Sequence, residues 1–355
     1  ICLKNKRYIT STETPIDFVR ESQKKKKMEG DQKGTVCVTG GTGYIGSWLI
    51  MRLLDHGYFV RTTIRSNPEN KKDHNFLTSL PGASEKLKIF HADLNNPESF
   101  GPVIEGCIGV FHVATPIDFE NKEPEETVTR RAVDGAIGIL KACLDSKTVK
   151  KFVYTSSSST VSFSGKGLEA LDENVWTDVD YVKALKLVAG PYAISKTFTE
   201  RAVLEFSEKH GLEVVTLILP FVVGPFICPK LPSSVKHVLD IALGQNTDFG
   251  SLSHLDMVHV DDVAEAHIFL FEHHEAKGRF NCSSITISVE SASELIYTKF
   301  PQLQVPRNDS QKKAEGILVP SLLSKKLIDS GFEYKYGVEE MLYDAIKCCK
   351  EMGYL

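Results

Sequence analysis

The sequence predicts an α/β fold in which a parallel sheet is covered by helices on both faces. Three observations carry that prediction. A β-branched apolar run, Thr35 to Thr39, stops at glycine and gives way to apolar residues at helical spacing. The same alternation of strand and helix recurs along the chain as far as Pro220. The units are long enough to make crossovers, and crossovers of this kind are right-handed and place helices on both faces.

The elements follow in order. Thr35 to Thr39 is the first strand, and Ile45, Trp48, Leu49, Leu53 and Leu54 mark the helix after it. Gly57 is placed to close that helix. Tyr58 to Ile64, Leu87 to His91, Val110 to Ala114 and Lys151 to Ser156 are the next four strands. The clearest helix between them runs from Glu125 to Leu144. Pro191 suits the first turn of a long helix that reaches about Lys209 and is closed by Gly211. Val214 to Leu219 is a further strand, ended by Pro220.

Beyond Pro220 the pattern loosens. The three prolines of Gly224 to Pro232 mark a loop. A helix near Val235 to Leu243, a strand near Met257 to Val260 and a helix from Val263 to Phe271 follow. The expected organisation is an N-terminal extension over 1–33, a nucleotide domain over 34–220, and a small substrate-binding lobe over 221–355 interleaved with it.

The turn after the first strand holds the first chemistry. Gly40, Gly43 and Gly46, with Thr42, Tyr44 and Ile45 among them, fit Gly-x-x-Gly-x-x-Gly between a strand and an amphipathic helix. Such a turn brings backbone close to a pyrophosphate, and the helix behind it offers free amides and a positive dipole end. The fold is therefore expected to be the doubly wound, Rossmann type. An enzyme that takes NAD places an acid at the end of the second strand to hold the ribose hydroxyl. Here that strand ends in Arg65, with Lys71 and Lys72 nearby, and a guanidinium suits a 2′-phosphate. NADPH is the expected cofactor. Asp93 and Leu94 follow the third strand; the carboxylate is placed either for the adenine amino group or to cap the helix begun by Pro97. Val113, Ala114 and Thr115 end the fourth strand, at the edge where ligands lie in such sheets.

Tyr192 and Lys196 are four residues apart and share a helix face. A free phenol titrates near 10, and a neighbouring ammonium is expected to favour its ionised form. The fifth strand runs into Thr155-Ser156-Ser157-Ser158-Ser159, where a hydroxyl can donate to a developing oxyanion. Glycine turn, serine run and Tyr/Lys pair together point to hydride transfer beside a proton transfer.

Composition agrees with a globular enzyme: 355 residues, 42% hydrophobic and 25% charged. No apolar run approaches the ~20 residues of a membrane span. Net charge is −4, but residues 1–27 carry eight basic and three acidic side chains, which leaves the remainder at −9. An acidic body gives no reason to expect nucleic-acid binding. Lys24 to Lys27 read as a solvated run in a disordered tail, with Met28 as a natural start. The eight cysteines include no Cys-x-x-Cys pair and read as reduced thiols of a cytoplasmic protein, Cys37 being a small core residue. His267, His273 and His274 lack convergent partners, so no metal is expected. Asp261 and Asp262 are expected to cap the helix that follows them.

With these pieces placed, the chain resembles the extended short-chain dehydrogenase/reductases, and more closely the plant dihydroflavonol reductase group in its vestitone-type branch. The resemblance covers about Gly34 to Leu355. Its carrying stretches are VTGGTGYIGSW (38–48), LPGASEKL (80–87), HVATPIDF (112–119), YTSSSSTVSF (154–163), YAISKT (192–197), LILPFVVGPF (217–226), MVHVDDVAEAHIFL (257–270) and CCKEMGYL (348–355). It implies NADPH-dependent reduction of a ketone on a flavonoid- or isoflavonoid-like polyphenol, with other enzymes of the same pathway as expected partners. It implies Tyr192 as the acid, Lys196 as its partner, and Ser157 as the carbonyl-binding hydroxyl, with Ser158 the competing assignment. Pro220, Phe221, Val222 and Val223 are implied beside the nicotinamide, Ser234 over the cofactor, and Phe226 and Ile227 beside the substrate. Ser162 stands where dihydroflavonol reductases often carry asparagine, which favours the vestitone-type branch over a dihydroflavonol or anthocyanidin reductase. The Asn-Trp-Tyr signature of cinnamoyl-CoA reductases is absent, since Gly190-Pro191 precede Tyr192. A sugar-nucleotide epimerase uses the same Tyr/Lys device, but Arg65 disfavours it. A non-catalytic NADPH-binding regulator is the remaining alternative, and such proteins can lose the Tyr or the Lys.

Overall fold

The computed structural model describes residues 33–65, 74–116, 122–244, 253–303 and 320–355. The expectations for residues 1–27 and for Lys71 and Lys72 lie outside them.

The strands, in chain order, are β1 (Thr35–Thr39), β2 (Phe59–Ile64), β3 (Leu87–His91), β4 (Gly109–His112), β5 (Lys151–Ser157), β6 (Ala170–Leu171), β7 (Glu213–Leu219), β8 (Phe221–Val223), β9 (His254–His259), β10 (Gly278–Asn281), β11 (Ile285–Ser288) and β12 (Ser321–Leu322). The helices of seven residues or more are α1 (Tyr44–Asp55), α2 (Glu125–Ser146), α3 (Val179–Leu185), α4 (Gly190–His210), α5 (Ser233–Ala242), α6 (Val260–Glu272), α7 (Val289–Lys299) and α8 (Val338–Glu351).

Seven strands form one sheet in the order β10-β7-β5-β4-β1-β2-β3, every neighbouring pair parallel. The order reverses beside β1, so the strand ends around β1 and β4 open a crevice at the carboxyl edge. The central strands β1, β4, β5 and β7 are buried on both faces, and that is why they read as largely apolar, β-branched runs. Val36 and Val38 enter the core shared with Leu49, Leu53, Val263 and Ala266 of α1 and α6. Cys37, between them, enters the opposite core with Ile139 and Leu140 of α2 and Val203 of α4.

A smaller sheet, β11-β9-β8, begins immediately after Pro220, where the chain leaves β7. Its core joins Met257 and Leu255 to Val235 and Leu239 of α5, Ile296 of α7 and Met341 and Ile346 of α8. The chain beyond Pro220 thus builds both parts: β10 and α6 belong to the main sheet's layers, β8, β9 and β11 to the smaller one.

Asp261 and Asp262 do not cap α6. The cap is His259, whose Nδ1 accepts from the Asp261 amide at 3.1 Å. Asp261 instead accepts from Trp48 Nε1 (2.8 Å) and Tyr336 Oη (3.1 Å), and Asp262 from the amides of Lys335 and Tyr336 at 3.1 and 3.3 Å. Helix, sheet and C-terminal segment are locked together there. Among the described residues, no helix is long and apolar enough to cross a membrane.

Candidate active site

Because the main strands are parallel, their carboxyl ends share one edge. Gly40, Arg65, Asp93, Val113 to Thr115 and Pro220 follow strands there, and Ser157 is the last residue of β5.

The glycine turn is fixed by close contacts. Gly40 has φ +74°, and a Cβ on it would lie 3.0 Å from the Ala114 Cα. A Cβ on Gly46 would lie 2.4 Å from the Gly40 carbonyl oxygen. Only glycine lets β1, the start of α1 and the end of β4 approach so closely. Gly43 is the α1 N-cap and carries no side-chain cap; its own amide donates to the Gly40 carbonyl at 3.0 Å, and the Tyr44, Ile45 and Gly46 amides of the first turn are left for an anion. Thr39 ties this turn to β4. Its Oγ1 accepts from the Val113 and Ala114 amides at 3.1 and 3.0 Å and donates to His112 Nδ1 at 2.9 Å. Burial drives the His112 pKa down to about 3, with the Lys196 ammonium adding to the effect, so the ring is a neutral acceptor.

Tyr44 faces elsewhere. Its ring packs edge-on to Phe226 at 6.4 Å between centroids, and its hydroxyl is buried without a partner among the described residues. Only its backbone belongs to the turn. Phe226, expected beside the substrate, is buried in the smaller core, its amide 3.4 Å from Cys348 Sγ. Arg65 stands exposed at the end of β2 and makes no hydrogen bond or ion pair with the described residues. Asp93 Oδ1 accepts from the Asn95 amide (2.8 Å) and Asn95 Nδ2 (2.9 Å), a local turn rather than the helix cap considered for it. Leu94 packs its side chain on α2 at Gly135. Val222 and Val223 are buried in the two cores, and Ser234 Oγ donates to the Val222 carbonyl at 2.7 Å, fastening α5 to β8. Phe221, half-buried, packs against the smaller core.

Ser157, Tyr192 and Lys196 come together. Pro191 lies in the first turn of α4, as its missing amide allows, and Tyr192 and Lys196 follow on one face. The Tyr192 hydroxyl is hydrogen-bonded to Ser157. Ser157 Oγ also accepts from the Ser159 amide and hydroxyl at 3.2 and 3.0 Å, which orients it. Lys196 Nζ donates to the Thr155 carbonyl (2.7 Å) and to Thr115 Oγ1 (3.0 Å), and sits 4.9 Å from the Tyr154 ring centre.

One expectation is overturned here. The ammonium does not acidify the phenol. Burial pushes the Tyr192 pKa above its ordinary value, only partly offset by the Ser157 hydrogen bond. The physical reason lies in the lysine's partners and its own burial: desolvation lowers the Lys196 pKa to about 7, with Glu200 acting in the opposite direction. The Lys196 amine is committed to the Thr155 carbonyl and Thr115 Oγ1 rather than to the phenol. Glu200 and Arg279, both buried, were not singled out in the sequence. Glu200 was detectable only as the residue eight beyond Tyr192; nothing in Gly278-Arg279-Phe280 marks its arginine.

A glycine turn, a strand-end serine and a Tyr/Lys pair on one edge of a doubly wound sheet define a nucleotide-dependent dehydrogenase/reductase of the extended short-chain type. The chain belongs to the NAD dependent epimerase/dehydratase family, whose profile matches residues 36–283, and within it to the plant dihydroflavonol reductase group. It is 56% identical to vestitone reductase of Medicago sativa over 323 residues, 91% of this chain and 99% of that one. It is 43% identical to dihydroflavonol 4-reductase of Callistephus chinensis over 92% of this chain and 90% of that one. The crystal structure of the alfalfa vestitone reductase superposes with TM-score 0.82 over 91% of this chain and all of that one, at 53% identity. Gre2 of Candida albicans in complex with NADPH superposes with TM-score 0.74 at 26% identity, over 90% of this chain and 99% of that one.

Proposed function

We propose that the protein is an NADPH-dependent reductase of a ketone on a flavonoid- or isoflavonoid-type molecule, of the vestitone reductase kind. The observation that carries this reading is the Ser157–Tyr192 hydrogen bond, with Lys196 on the same helix face, at the carboxyl edge beside the glycine turn.

The residues present fit the dinucleotide. The uncapped first turn of α1 suits a pyrophosphate. Gly40 and Gly46 leave no room for side chains that would block it. Arg65, without an acid partner among the described residues, suits the 2′-phosphate and not a bare hydroxyl. The bound cofactor supplies the hydride. Ser157 and Tyr192 hold the ketone oxygen between two donors, and the developing negative charge on that oxygen strengthens both bonds. Tyr192 passes its proton to that oxygen, and its raised pKa keeps the phenol protonated and ready until then. Lys196, held by Thr155 and Thr115, is placed to grip ribose hydroxyls and to shuttle a proton, since its own pKa of about 7 lets it take either form. Burial of the site strengthens each of these interactions.

Similarity to vestitone reductase and dihydroflavonol 4-reductase supports a polyphenolic ketone. Ser162 turns its hydroxyl back onto the Ser158 carbonyl at 2.8 Å, which supports the vestitone-type branch over one whose residue there reads substrate hydroxyls. The test is a panel of isoflavanones, dihydroflavonols and simple aromatic carbonyls with NADPH and with NADH, read by absorbance of the reduced nicotinamide and by product chirality. The expected result is turnover of an isoflavanone with NADPH preferred. Tyr192→Phe is expected to abolish turnover while NADPH binding stays within about threefold. Nicotinamide oxidation at the parent rate in that variant would remove Tyr192 as the acid.

A further inference from the structure

Tyr192, Lys196 and Glu200 repeat at four-residue intervals along α4 and lie on one face of it. Glu200 is wholly buried, yet its carboxylate is saturated. It accepts from Ser156 Oγ at 2.8 Å, Thr216 Oγ1 at 2.5 Å, and Arg279 Nε and Nη2 at 3.1 and 3.4 Å. Arg279, itself buried, reaches from β10 to the Glu173 and Val175 carbonyls (2.9 and 2.6 Å) and to Thr160 Oγ1 (3.1 Å). Its guanidinium carbon lies 3.6 Å from the centre of the Trp176 ring. Taking two charges out of water is costly, and a buried pair contributes little net stability against apolar residues of the same size. Its location indicates what the pair is for. Ser156 stands between Thr155, whose carbonyl holds Lys196 Nζ, and Ser157, whose hydroxyl holds Tyr192. Thr160 closes the short turn that follows Ser157.

We propose that Glu200 and Arg279 form a positioning pair for the reductase site: they pin the carboxyl end of β5 that holds Tyr192 and Lys196, and they keep an anion facing the buried lysine. This deepens the reading above and rests on it for the roles of those two residues. The titratable groups that face the lysine are His112 from β4, Tyr154 from β5, and Tyr192 and Glu200 from α4. His112 and the two phenols are uncharged near neutrality, so Glu200 is the anion of the set. It is also the group that opposes the desolvation of Lys196.

The test separates this proposal from the reductase reading by using a measurement that needs no substrate. Urea unfolding of the nucleotide-free protein is followed from pH 6 to pH 9 in the parent, Glu200→Gln, Lys196→Met and the double variant. The folded pKa of Lys196 lies below its unfolded value, so the unfolded chain binds more protons and stability rises with pH from about 7 upward. Without Glu200 that rise is expected to begin about one pH unit lower. In the Lys196→Met background, Glu200→Gln is expected to change no slope. Glu200→Asp keeps the charge for Arg279 but withdraws it by one methylene; it is expected to shift the onset by about half a unit, and it decides the matter if Glu200→Gln does not fold. In the ketone assay, Ser156→Ala, which leaves the ion pair intact, is expected to lower kcat about tenfold with the NADPH dissociation constant unchanged. Parallel pH curves offset by a constant in the Glu200→Gln and parent proteins, with equal slopes in both lysine backgrounds, would make the pair merely structural and overturn the proposal. A normal shift in a protein that reduces no ketone would instead leave the pair standing and remove the reductase reading.

Discussion

Replacing Gly46 by alanine separates the two jobs of the glycine turn. A Cβ at Gly46 would sit 2.4 Å from the Gly40 carbonyl oxygen and 3.1 Å from its carbon, both backbone atoms that no rotamer change can move. Ordinary contact begins near 3.4 Å, so the turn and the start of α1 must part by about 1 Å. Overpacking of this kind costs about 1–3 kcal/mol. Alanine returns at most about 1 kcal/mol in helix propensity, and position 46 is too near the helix start to gain all of it. With an unfolding entropy of about 2.1 cal/mol/K per residue, a net loss of about 2 kcal/mol lowers the melting temperature of a 355-residue chain by about 3 °C. Gly43 is the control. Its φ of −82° and ψ of 169° suit any residue, it is exposed, and the nearest atom to an added Cβ is the Gly40 oxygen at 3.3 Å. Gly43→Ala is therefore expected to melt within about 1 °C of the parent. Its methyl nevertheless stands where the pyrophosphate is proposed to approach, and the NADPH dissociation constant is expected to rise about tenfold. Thermal unfolding by circular dichroism and titration of NADPH fluorescence measure the two effects. A Gly46→Ala protein that melts with the parent would refute the close-packing argument.

Three further outcomes follow from the same geometry. Ser157→Ala is expected to lower kcat about a hundredfold and Ser158→Ala less than about threefold, because Ser157 is the serine hydrogen-bonded to Tyr192; the reverse order in the ketone assay would reassign the hydroxyl. Arg65→Asp is expected to weaken NADPH by about tenfold to a hundredfold and to strengthen NADH, read as the ratio of the two kcat/KM values; an unchanged ratio would place the 2′-phosphate elsewhere. Burial lowers the His267 pKa to about 4 from 6.5, so the unfolded chain binds more protons between those values and stability falls as pH drops from 6.5 to about 4. His267→Gln is expected to remove that part of the slope in urea unfolding from pH 4 to pH 7, and an unaltered slope would show that the ring titrates normally.

How much of this was legible in the sequence depends on where each element finds its partners. Among the six strands of the main sheet up to β7, the central ones were visible because they are buried on both faces, as Val36-Cys37-Val38 is, while the edge strand β3 was legible from Leu87, Ile89 and Phe90 although Lys88 and His91 are exposed. β10 was not, although it completes the same sheet. It has four residues, and two of its buried side chains are Arg279 and Asn281, whose partners come from Glu200, Leu171 and Leu323. Polar residues satisfied by distant groups look like surface in a sequence. β8 and β11 are similarly short, and their signal is the pairing with β9 rather than any pattern of their own. Asp261 and Asp262 have the composition of a helix start, but His259 took the cap and left the two carboxylates to Trp48 and to the segment at 335–336.

The site shows the same limit more sharply. Spacing alone places Tyr192 and Lys196 on one face of α4, and that much is local geometry. Whether the amine lends charge to the phenol depends on which oxygens receive its protons, and those oxygens belong to Thr155 at the end of β5 and Thr115 beyond β4. Burial then acts on both groups at once, raising the phenol and lowering the amine, so each is driven towards its neutral form. A phenol that stays protonated is a reservoir for the proton a reduction consumes, not a base for the reverse reaction. An amine near 7 can refill it close to neutral pH. The two shifts therefore fit reduction better than oxidation without any acidified phenol. On the proposed reading the pH sensitivity of turnover falls on the lysine, whose pKa burial lowers and Glu200 partly restores.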